Sequence, residues 1–123
     1  MTSRFTELAV DCHQPHELAA FWCAVLGYAV IDMQDDSVEI AGWHPTVESV
    51  RAGVTAPTVI FIRVPEPKTV KNRLHIDVSP IDRGQDEEVE RLLALGARRV
   101  DIGQGEQSWV VLADPEGNEF CVL

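Results

Sequence analysis

Two short segments of the sequence carry side chains that suit proton transfer and metal binding. In the segment RLHIDVSP, His75 and Asp77 alternate with apolar residues, which places both on one face of a strand. In the segment NEFCVL, Glu119 and Cys121 alternate with apolar residues in the same way. Imidazole, carboxylate and thiolate groups exchange protons and ligate transition metals. The sequence therefore predicts that these four residues lie on polar strand faces.

Two further strands carry candidate residues. The segment FTELAVDC places Glu7 on the face opposite the apolar side chains of its strand. Residues 58–64 alternate so that Phe61 and Arg63 share a face. A guanidinium such as that of Arg63 can clamp a carboxylate or a phosphate bidentately.

The elements that position these residues occur twice along the chain. Each copy has a strand, a break, a helix ending in Leu-Gly and a further strand. Apolar residues at helical spacing precede Gly27 in the first copy and Gly96 in the second. The repeat predicts an α+β fold with two βαβββ modules, about residues 1–67 and about 72–123, in a single domain spanning 1–123. The helices are expected on one sheet face, which leaves the opposite, polar face for function.

The weaker elements are less sharply marked. A strand is expected at residues 37–40, and a loop is expected around Trp43. A strand at residues 100–102 is expected after the second helix. The turn DPEGN is expected to join a strand at residues 109–112 to the last one, because proline and glycine favour tight turns.

The composition excludes several classes of protein. The chain has 123 residues, with 10 Lys and Arg against 20 Asp and Glu, and a formal net charge of −10. An acidic surface repels nucleic acids and anionic membranes, and no apolar run is long enough to span a bilayer. Three cysteines in no paired spacing, and a polar start after Met1, indicate a cytoplasmic protein with reduced thiols. The expected partners are a small-molecule ligand and a second copy of the chain.

The whole chain resembles the vicinal oxygen chelate superfamily, in its glyoxalase-like or bleomycin-resistance-like branch. The residues that carry the resemblance are AFW and LGY at the first helix, LHIDV in the second copy, and above all the closing DPEGNEF. The resemblance implies two βαβββ modules that form a curved mixed sheet around a cavity, usually in a homodimer. The activities of this superfamily are diverse, since it includes isomerases, lyases, dioxygenases, thiol transferases and drug-binding proteins.

The resemblance also implies a set of metal-binding positions. Family enzymes carry one ligand on the first and the last strand of each module, and the corresponding residues here are Glu7, Phe61, His75 and Cys121. His75 is the ligand type usual in the family, Glu7 replaces a histidine, and Cys121 replaces a carboxylate. Phe61 cannot bind a metal. Glu7, His75 and Cys121 could therefore hold a divalent transition metal such as Zn, Mn, Fe or Ni.

Each polar candidate also has a plainer structural interpretation. His75 could be an ordinary surface histidine, and Cys121 could be a small packing residue. Asp77, Arg63 and Glu119 could complete a hydrogen-bonded network beside His75, or could form a salt-bridged wall that binds no ligand. Since Asp77 shares the side of His75, and Glu119 that of Cys121, a rearranged ligand set also stays open.

Aromatic residues and a basic segment complete the candidates. Trp43 and Trp109 could form aromatic walls around a flat ligand, or could pack within a hairpin. The segment VPEPKTVKNR carries Lys68, Lys71 and Arg73 between the modules of an acidic chain. It could recruit an anionic group or balance acidic charge across a dimer interface, but a solvated linker is the preferred interpretation.

The leading hypothesis is a glyoxalase-like protein that binds a small organic molecule in a sheet-lined cavity. As a lyase or isomerase it would transfer a proton on a carbonyl compound, with His75 or Glu7 as general base. The alternative is a non-catalytic binder of a drug or metabolite, of the bleomycin-resistance type. A third class, a structural domain, would have a filled core in place of a cavity. The residues expected to contact the ligand are Arg63, Phe61, Asp77, Trp43, Trp109 and Glu119.

Overall fold

The chain divides into two units, Met1–Pro67 and Lys68–Leu123. The computed structural model describes residues 2–44, 46–53, 56–101 and 108–123, except for the side chain of Val50. Each unit holds one four-stranded mixed sheet, in which the first strand runs parallel to the last. The predicted fold class, α+β with two βαβββ modules, is confirmed.

The first unit has the strand order β1-β4-β3-β2. Helix α1 connects β1 to β2, and helix α2 connects β3 to β4. Strand β3 is antiparallel to both of its neighbours. The elements are β1 (Glu7–Cys12), α1 (Pro15–Leu26), β2 (Ala29–Met33), β3 (Ser37–Ala41), α2 (Val47–Ala52) and β4 (Thr58–Arg63).

The second unit has the strand order β5-β8-β7-β6, which repeats the order of the first. Helix α3 connects β5 to β6, as α1 does in the first unit. The elements are β5 (Asp77–Val78), α3 (Gln85–Leu95), β6 (Arg98–Arg99), β7 (Val110–Ala113) and β8 (Glu119–Val122). None of the helices formed by the described residues is long and apolar enough to cross a bilayer.

Helix α1 begins and ends as its sequence predicts. Pro15 occupies the first turn, where its missing N–H costs no hydrogen bond. Gly27 ends the helix at φ 69°, and its N–H donates a 2.9 Å hydrogen bond to the Cys23 carbonyl. A left-handed residue at this position favours glycine, which has no Cβ to clash. The buried side of the helix includes Phe21 and Trp22 and packs against β3 and β4.

Alternation along the strands gives each sheet an apolar and a polar face. Towards α1 the first sheet buries Cys12, Val38, Ile40, Val59 and Phe61. The opposite face, called here the first polar face, carries Glu7, Ala9, Asp11, Glu39, Thr58, Ile60 and Ile62. In the second sheet, Phe120 and Val122 are fully buried on the side of α3. The other side, called here the second polar face, carries His75, Asp77, Glu119 and Cys121.

Three elements differ from the sequence prediction. Helix α2 was not predicted, because six residues are too few to show an apolar stripe; Thr46 begins it with a reciprocal hydrogen-bonded cap to Ser49. Strand β5 is much shorter than residues 73–80, and Leu74 is 84% exposed, so its predicted place on the apolar face is wrong. Strand β6 lies at Arg98–Arg99, before the predicted strand at 100–102; Val100 and Asp101 are not part of a strand, and residue 102 lies outside the described ranges.

Candidate functional site

Three different donor atoms converge on the second polar face. Nδ1 of His75 lies 3.0 Å from Oδ1 of Asp77 and 4.0 Å from Sγ of Cys121. One ligand atom from each of the three residues lies within 4.8 Å of the other two. His75 and Asp77 are exposed, whereas Cys121 is buried. The arrangement is a half-open cluster that a small molecule or an ion can reach from the side of His75.

Strand register brings these residues together across 46 positions of sequence. Asp77 of β5 is the register partner of Cys121 in the parallel strand β8, and the Cys121 N–H donates a 3.0 Å hydrogen bond to the Ile76 carbonyl. The turn before β8 is fixed by buried Asp114, whose Oδ1 accepts hydrogen bonds from the N–H groups of Glu116 and Asn118. The DPEGN turn thereby sets where Cys121 sits.

The electrostatics of the cluster favour a protonated thiol. Burial raises the pKa of Cys121, and the charge of Asp77 together with its hydrogen bond raises that pKa further. The nearby Lys71 ammonium acts in the opposite direction. A cation bound beside the sulfur would have to displace its proton, since the thiolate is the metal ligand.

The three donors fit a transition metal better than they fit a hard cation. Nitrogen, oxygen and sulfur ligands together suit zinc and its neighbours, whereas calcium and magnesium take oxygen ligands. Tetrahedral bonds of about 2.0–2.3 Å separate ligand atoms by roughly 3.3–3.8 Å. The distances of 3.0 Å and 4.0 Å at Nδ1 bracket that range.

Glu119, for which a network with His75 and a salt-bridged wall were the two alternatives, binds the start of the second unit. Its Oε1 accepts a 3.0 Å hydrogen bond from Lys68 Nζ, and its Oε2 accepts a 3.1 Å hydrogen bond from the Asn72 backbone N–H. Burial acts to raise the pKa of Glu119, but these donors outweigh it and hold the pKa below its usual value. The basic segment is thus tied to β8 at Lys68 and Asn72, while most of its residues stay exposed to solvent.

The first polar face holds a pair of carboxylates. Thr58 Oγ1 donates a 2.8 Å hydrogen bond to Glu39 Oε2 and lies 3.4 Å from Glu7 Oε2. Partial burial raises the pKa of Glu7, and the hydrogen bond and negative charge of Glu39 raise it further, while Thr58 lowers it. Glu7 is therefore close to a second carboxyl group that the sequence prediction did not single out. The alternation in SVEIA was the signal that could have identified Glu39.

Phe61 does not belong to a polar face, so its predicted position as a counterpart of Cys121 is wrong. It pairs with Val10 and Val38 and is 1% exposed, in the core under α1. Thr58 has the same hydrogen-bond pattern as Cys121. Its N–H donates a 3.1 Å hydrogen bond to the Thr6 carbonyl, just before β1, as the Cys121 N–H donates to the Ile76 carbonyl, just before β5. Burial of the large aromatic ring against α1 decides this register.

Arg63 and Trp43 belong to the first unit, and Trp109 belongs to the second. Arg63, at the end of β4 in the first unit, donates through Nε to the His13 carbonyl at 3.4 Å. Trp43 donates through Nε1 to the Ala56 carbonyl at 2.8 Å, which matches packing in a loop. Trp109, just before β7, is 41% exposed and stays a candidate for ligand contact.

Comparison with known proteins assigns the family. The sequence profile of the glyoxalase-like domain matches residues 7–123. The chain belongs to the glyoxalase-like domain family. The resemblance to the vicinal oxygen chelate superfamily is thereby confirmed. No curated protein sequence is similar enough to count as a relative.

Solved structures share the glyoxalase-like fold. A glyoxalase/bleomycin resistance protein/dioxygenase family enzyme from Burkholderia phytofirmans has a TM-score of 0.67 at 19% identity, covering 98% of this chain and 97% of that one. A mutant of the fosfomycin resistance protein FosX from Listeria monocytogenes, complexed with Mn(II) and a dihydroxypropylphosphonic acid, has a TM-score of 0.69 at 15% identity, covering 99% and 90%. A possible glyoxalase from Bacillus cereus has a TM-score of 0.65 at 11% identity, covering 99% of both chains. At these identities the similarity shows the fold alone.

Within this glyoxalase-like fold, the structure groups the predicted ligands differently from the sequence. It brings His75 and Cys121 together in the second unit with Asp77, which the sequence analysis named as a ligand contact and as part of a possible rearranged ligand set. Glu7 lies in the first unit beside Glu39 and Thr58. The catalytic roles assigned to His75 and Glu7 stay predictions.

Proposed function

We propose that this glyoxalase-like protein binds a small carbonyl compound at the second polar face and acts on it with a transition metal held by His75, Asp77 and Cys121. The convergence of three different donor atoms within 4.8 Å carries the proposal. Three protein ligands do not complete a tetrahedral site, so one position is left for an oxygen of the bound molecule. Structural zinc sites, by contrast, use four protein ligands.

The reaction proposed is of the lyase or isomerase type. A cation held at the cluster would act as a Lewis acid that polarises a carbonyl oxygen and eases proton removal from the neighbouring carbon. Asp77 and the Cys121 thiolate would balance the charge of a divalent cation, while His75 contributes a neutral nitrogen. The burial of Cys121 keeps water from one side of the cluster, and the exposure of His75 leaves the other side accessible.

A second candidate uses the same residues without a metal. If Nδ1 of His75 carries the proton, it donates to Asp77 at 3.0 Å, and Nε2 is then an unprotonated base. Within the described ranges no side chain or backbone group hydrogen-bonds to Nε2 of His75. The two candidates differ in the use of Nδ1, which donates to Asp77 in the second and is placed to ligate the metal in the first.

Metal content is the first measurement. Untagged protein purified without chelator is analysed by elemental mass spectrometry, and about one transition metal per chain is expected. The same sample is incubated with a panel of small 2-oxo and 2-hydroxy carbonyl compounds in D2O. Proton NMR then follows deuterium exchange at the carbon next to the carbonyl. Chelator treatment and His75→Ala should both abolish exchange, whereas Glu39→Gln on the first polar face should not.

The other outcomes are equally informative. Exchange by metal-free protein, lost in His75→Ala, would contradict the metal proposal and support His75 as the base. Saturable quenching of tryptophan fluorescence by a ligand, with no exchange for any compound, would contradict the enzyme and support a non-catalytic binder. Trp109 is exposed enough to report such binding.

We also propose that the protein is a homodimer. Each sheet has two edge strands that pair on one side only within their own sheet. Strand β2 also exposes Val30 and Met33, and unpaired, apolar edges favour association with another copy. Sedimentation equilibrium at micromolar concentration should give twice the chain mass of 13.6 kDa, and a monomer would contradict the proposal.

A further inference from the structure

The basic segment of the second unit, residues 68–73, is held beside the cluster at two fixed points. One carboxylate, that of Glu119, accepts hydrogen bonds from Lys68 Nζ and from the Asn72 backbone N–H. The Asn72 side-chain amide also lies 3.4 Å from Asn118 Oδ1. Glu119 is two residues from Cys121 on β8 and shares its face, so the segment passes next to the cluster.

Lys71 lies between these two points and keeps its charge available. The Lys68 ammonium is neutralised by Glu119 at 3.0 Å, whereas the Lys71 ammonium has a neutral partner, the Asn72 carbonyl at 3.2 Å. Within the described ranges, no carboxylate forms an ion pair with Lys71.

A fixed cation without a carboxylate partner is suited to an anionic ligand. Charge-assisted hydrogen bonds to a carboxylate or phosphoryl oxygen are stronger than those between neutral groups. The net charge of −10 repels anions from the surface as a whole, so a local cation is needed if an anion is to be held at the cluster.

We infer that the ligand of the second polar face is a small organic anion, whose charged group binds Lys71 while a neighbouring oxygen reaches the His75, Asp77 and Cys121 cluster. This inference rests on the proposed function, since it requires a ligand at that cluster. Lys71 acts as a specificity-determining residue, and Lys68 and Asn72 are positioning residues that hold its segment against Glu119.

The test compares two probes of the same size and shape. Pyruvate carries a carboxylate next to its carbonyl, and pyruvamide carries a neutral amide in its place. Titrations of zinc-loaded protein are followed by two-dimensional NMR. Pyruvate should bind more tightly than pyruvamide, and added KCl should weaken only pyruvate. Lys71→Gln should weaken pyruvate binding about three- to tenfold and leave pyruvamide binding within about twofold.

The matched control is Arg73→Gln in the same segment. It removes the same charge from another exposed basic residue, and it should leave the preference for pyruvate unchanged. An equal loss in Arg73→Gln would overturn the assignment to Lys71, because the effect would then reflect the net charge of the segment. Melting temperatures of both variants should match that of the wild type, since both side chains are exposed.

Zinc content measured on the same samples separates this inference from the proposed function. If zinc and pyruvamide bind but pyruvate shows no advantage, the inference is wrong and the proposed function stands. If neither zinc nor either probe binds, the proposed function fails and the inference fails with it. If Lys71→Gln loses zinc together with pyruvate, Lys71 serves the Cys121 thiolate and does not select the ligand.

Discussion

The two polar faces are built on the same strand order but carry different donor atoms. On the first, the carboxylates of Glu7 and Glu39 meet the hydroxyl of Thr58, so only oxygen is present. On the second, His75 and Cys121 add nitrogen and sulfur to the oxygen of Asp77. Oxygen groups of this kind share a proton or take hard cations, whereas the mixed set suits transition metals. The repeated backbone therefore does not carry repeated chemistry.

The difference arises at positions that the backbone treats alike. Thr58 and Cys121 both donate their N–H to the parallel neighbouring strand, at 3.1 Å and 3.0 Å. Both side chains consequently lie on the face away from the helix. One position carries a hydroxyl and the other a thiol, so the two faces differ in ligand chemistry while the strand pairing stays the same.

The largest expected effect tests the apolar faces, which the two units have in common. Phe61→Ala and Phe120→Ala each remove a fully buried ring from the core of one unit. Each should lower the free energy of unfolding by about 3–5 kcal/mol, measured by urea denaturation. Phe61→Leu should cost less and leave ligand binding intact. If Phe61→Leu lost ligand binding while its stability stayed unchanged, the prediction that Phe61 contacts the ligand would be supported instead.

The next effect separates the two polar faces by metal affinity. Cys121→Ala should weaken zinc binding by at least about 100-fold, because it removes a direct ligand. Removing a group that only hydrogen-bonds to a ligand already weakens metal binding by about 10–100-fold. Competition with a chromophoric chelator measures the affinity. Glu39→Gln, on the first polar face, is the control and should have no effect. A loss of zinc in Glu7→Gln as large as that in Cys121→Ala would contradict a site confined to the second unit.

The pH dependence of zinc binding follows from the protonation of Cys121. Burial and Asp77 raise the pKa of its thiol, so zinc must displace a proton at neutral pH. Zinc affinity should therefore rise by at least about tenfold per pH unit between pH 6 and pH 8. Cys23→Ser is the control. Burial also raises the pKa of the Cys23 thiol, but this thiol is not one of the proposed ligands, so the substitution should leave the slope unchanged. A flat profile would remove Cys121 from the ligand set.

The smallest effect concerns the carboxylate pair of the first polar face. The pKa of Glu7 is raised in the folded protein. Protonated Glu7 therefore stabilises the fold at a pH below its unfolded-state pKa, and this contribution is lost as the pH rises through its folded-state pKa. Glu7→Gln should therefore raise the melting temperature by about 1–3 °C at pH 8 and change it little at pH 4. Asp11→Asn, on the same strand and face, should change neither value. A lower melting temperature for Glu7→Gln at pH 8 would contradict the repulsion between Glu7 and Glu39.

Local patterns predicted most of the fold. Strand alternation placed Phe120 on the apolar side and Cys121 on the polar side, and Gly27 and Gly96 were identified as helix ends. Where no local pattern existed, prediction failed: α2 is too short to show periodicity, and nothing in the alternation of residues 73–80 showed that β5 would be only Asp77–Val78. Phe61 was placed at a ligand position by the family resemblance, whereas its register with Val10 and Val38 puts it in the core.

The sequence by itself determined the two modules, the helix on one face of each sheet, and the residue types available for chemistry. It could do so because helix and strand periodicities are properties of neighbouring residues. Only the tertiary structure decided which of those residues meet. The pairing of β5 with β8 joins Asp77 to Cys121, and the pairing of β1, β4 and β3 places Glu39 beside Glu7. Such contacts depend on the register of strands distant in sequence, which is set by the packing of the whole core.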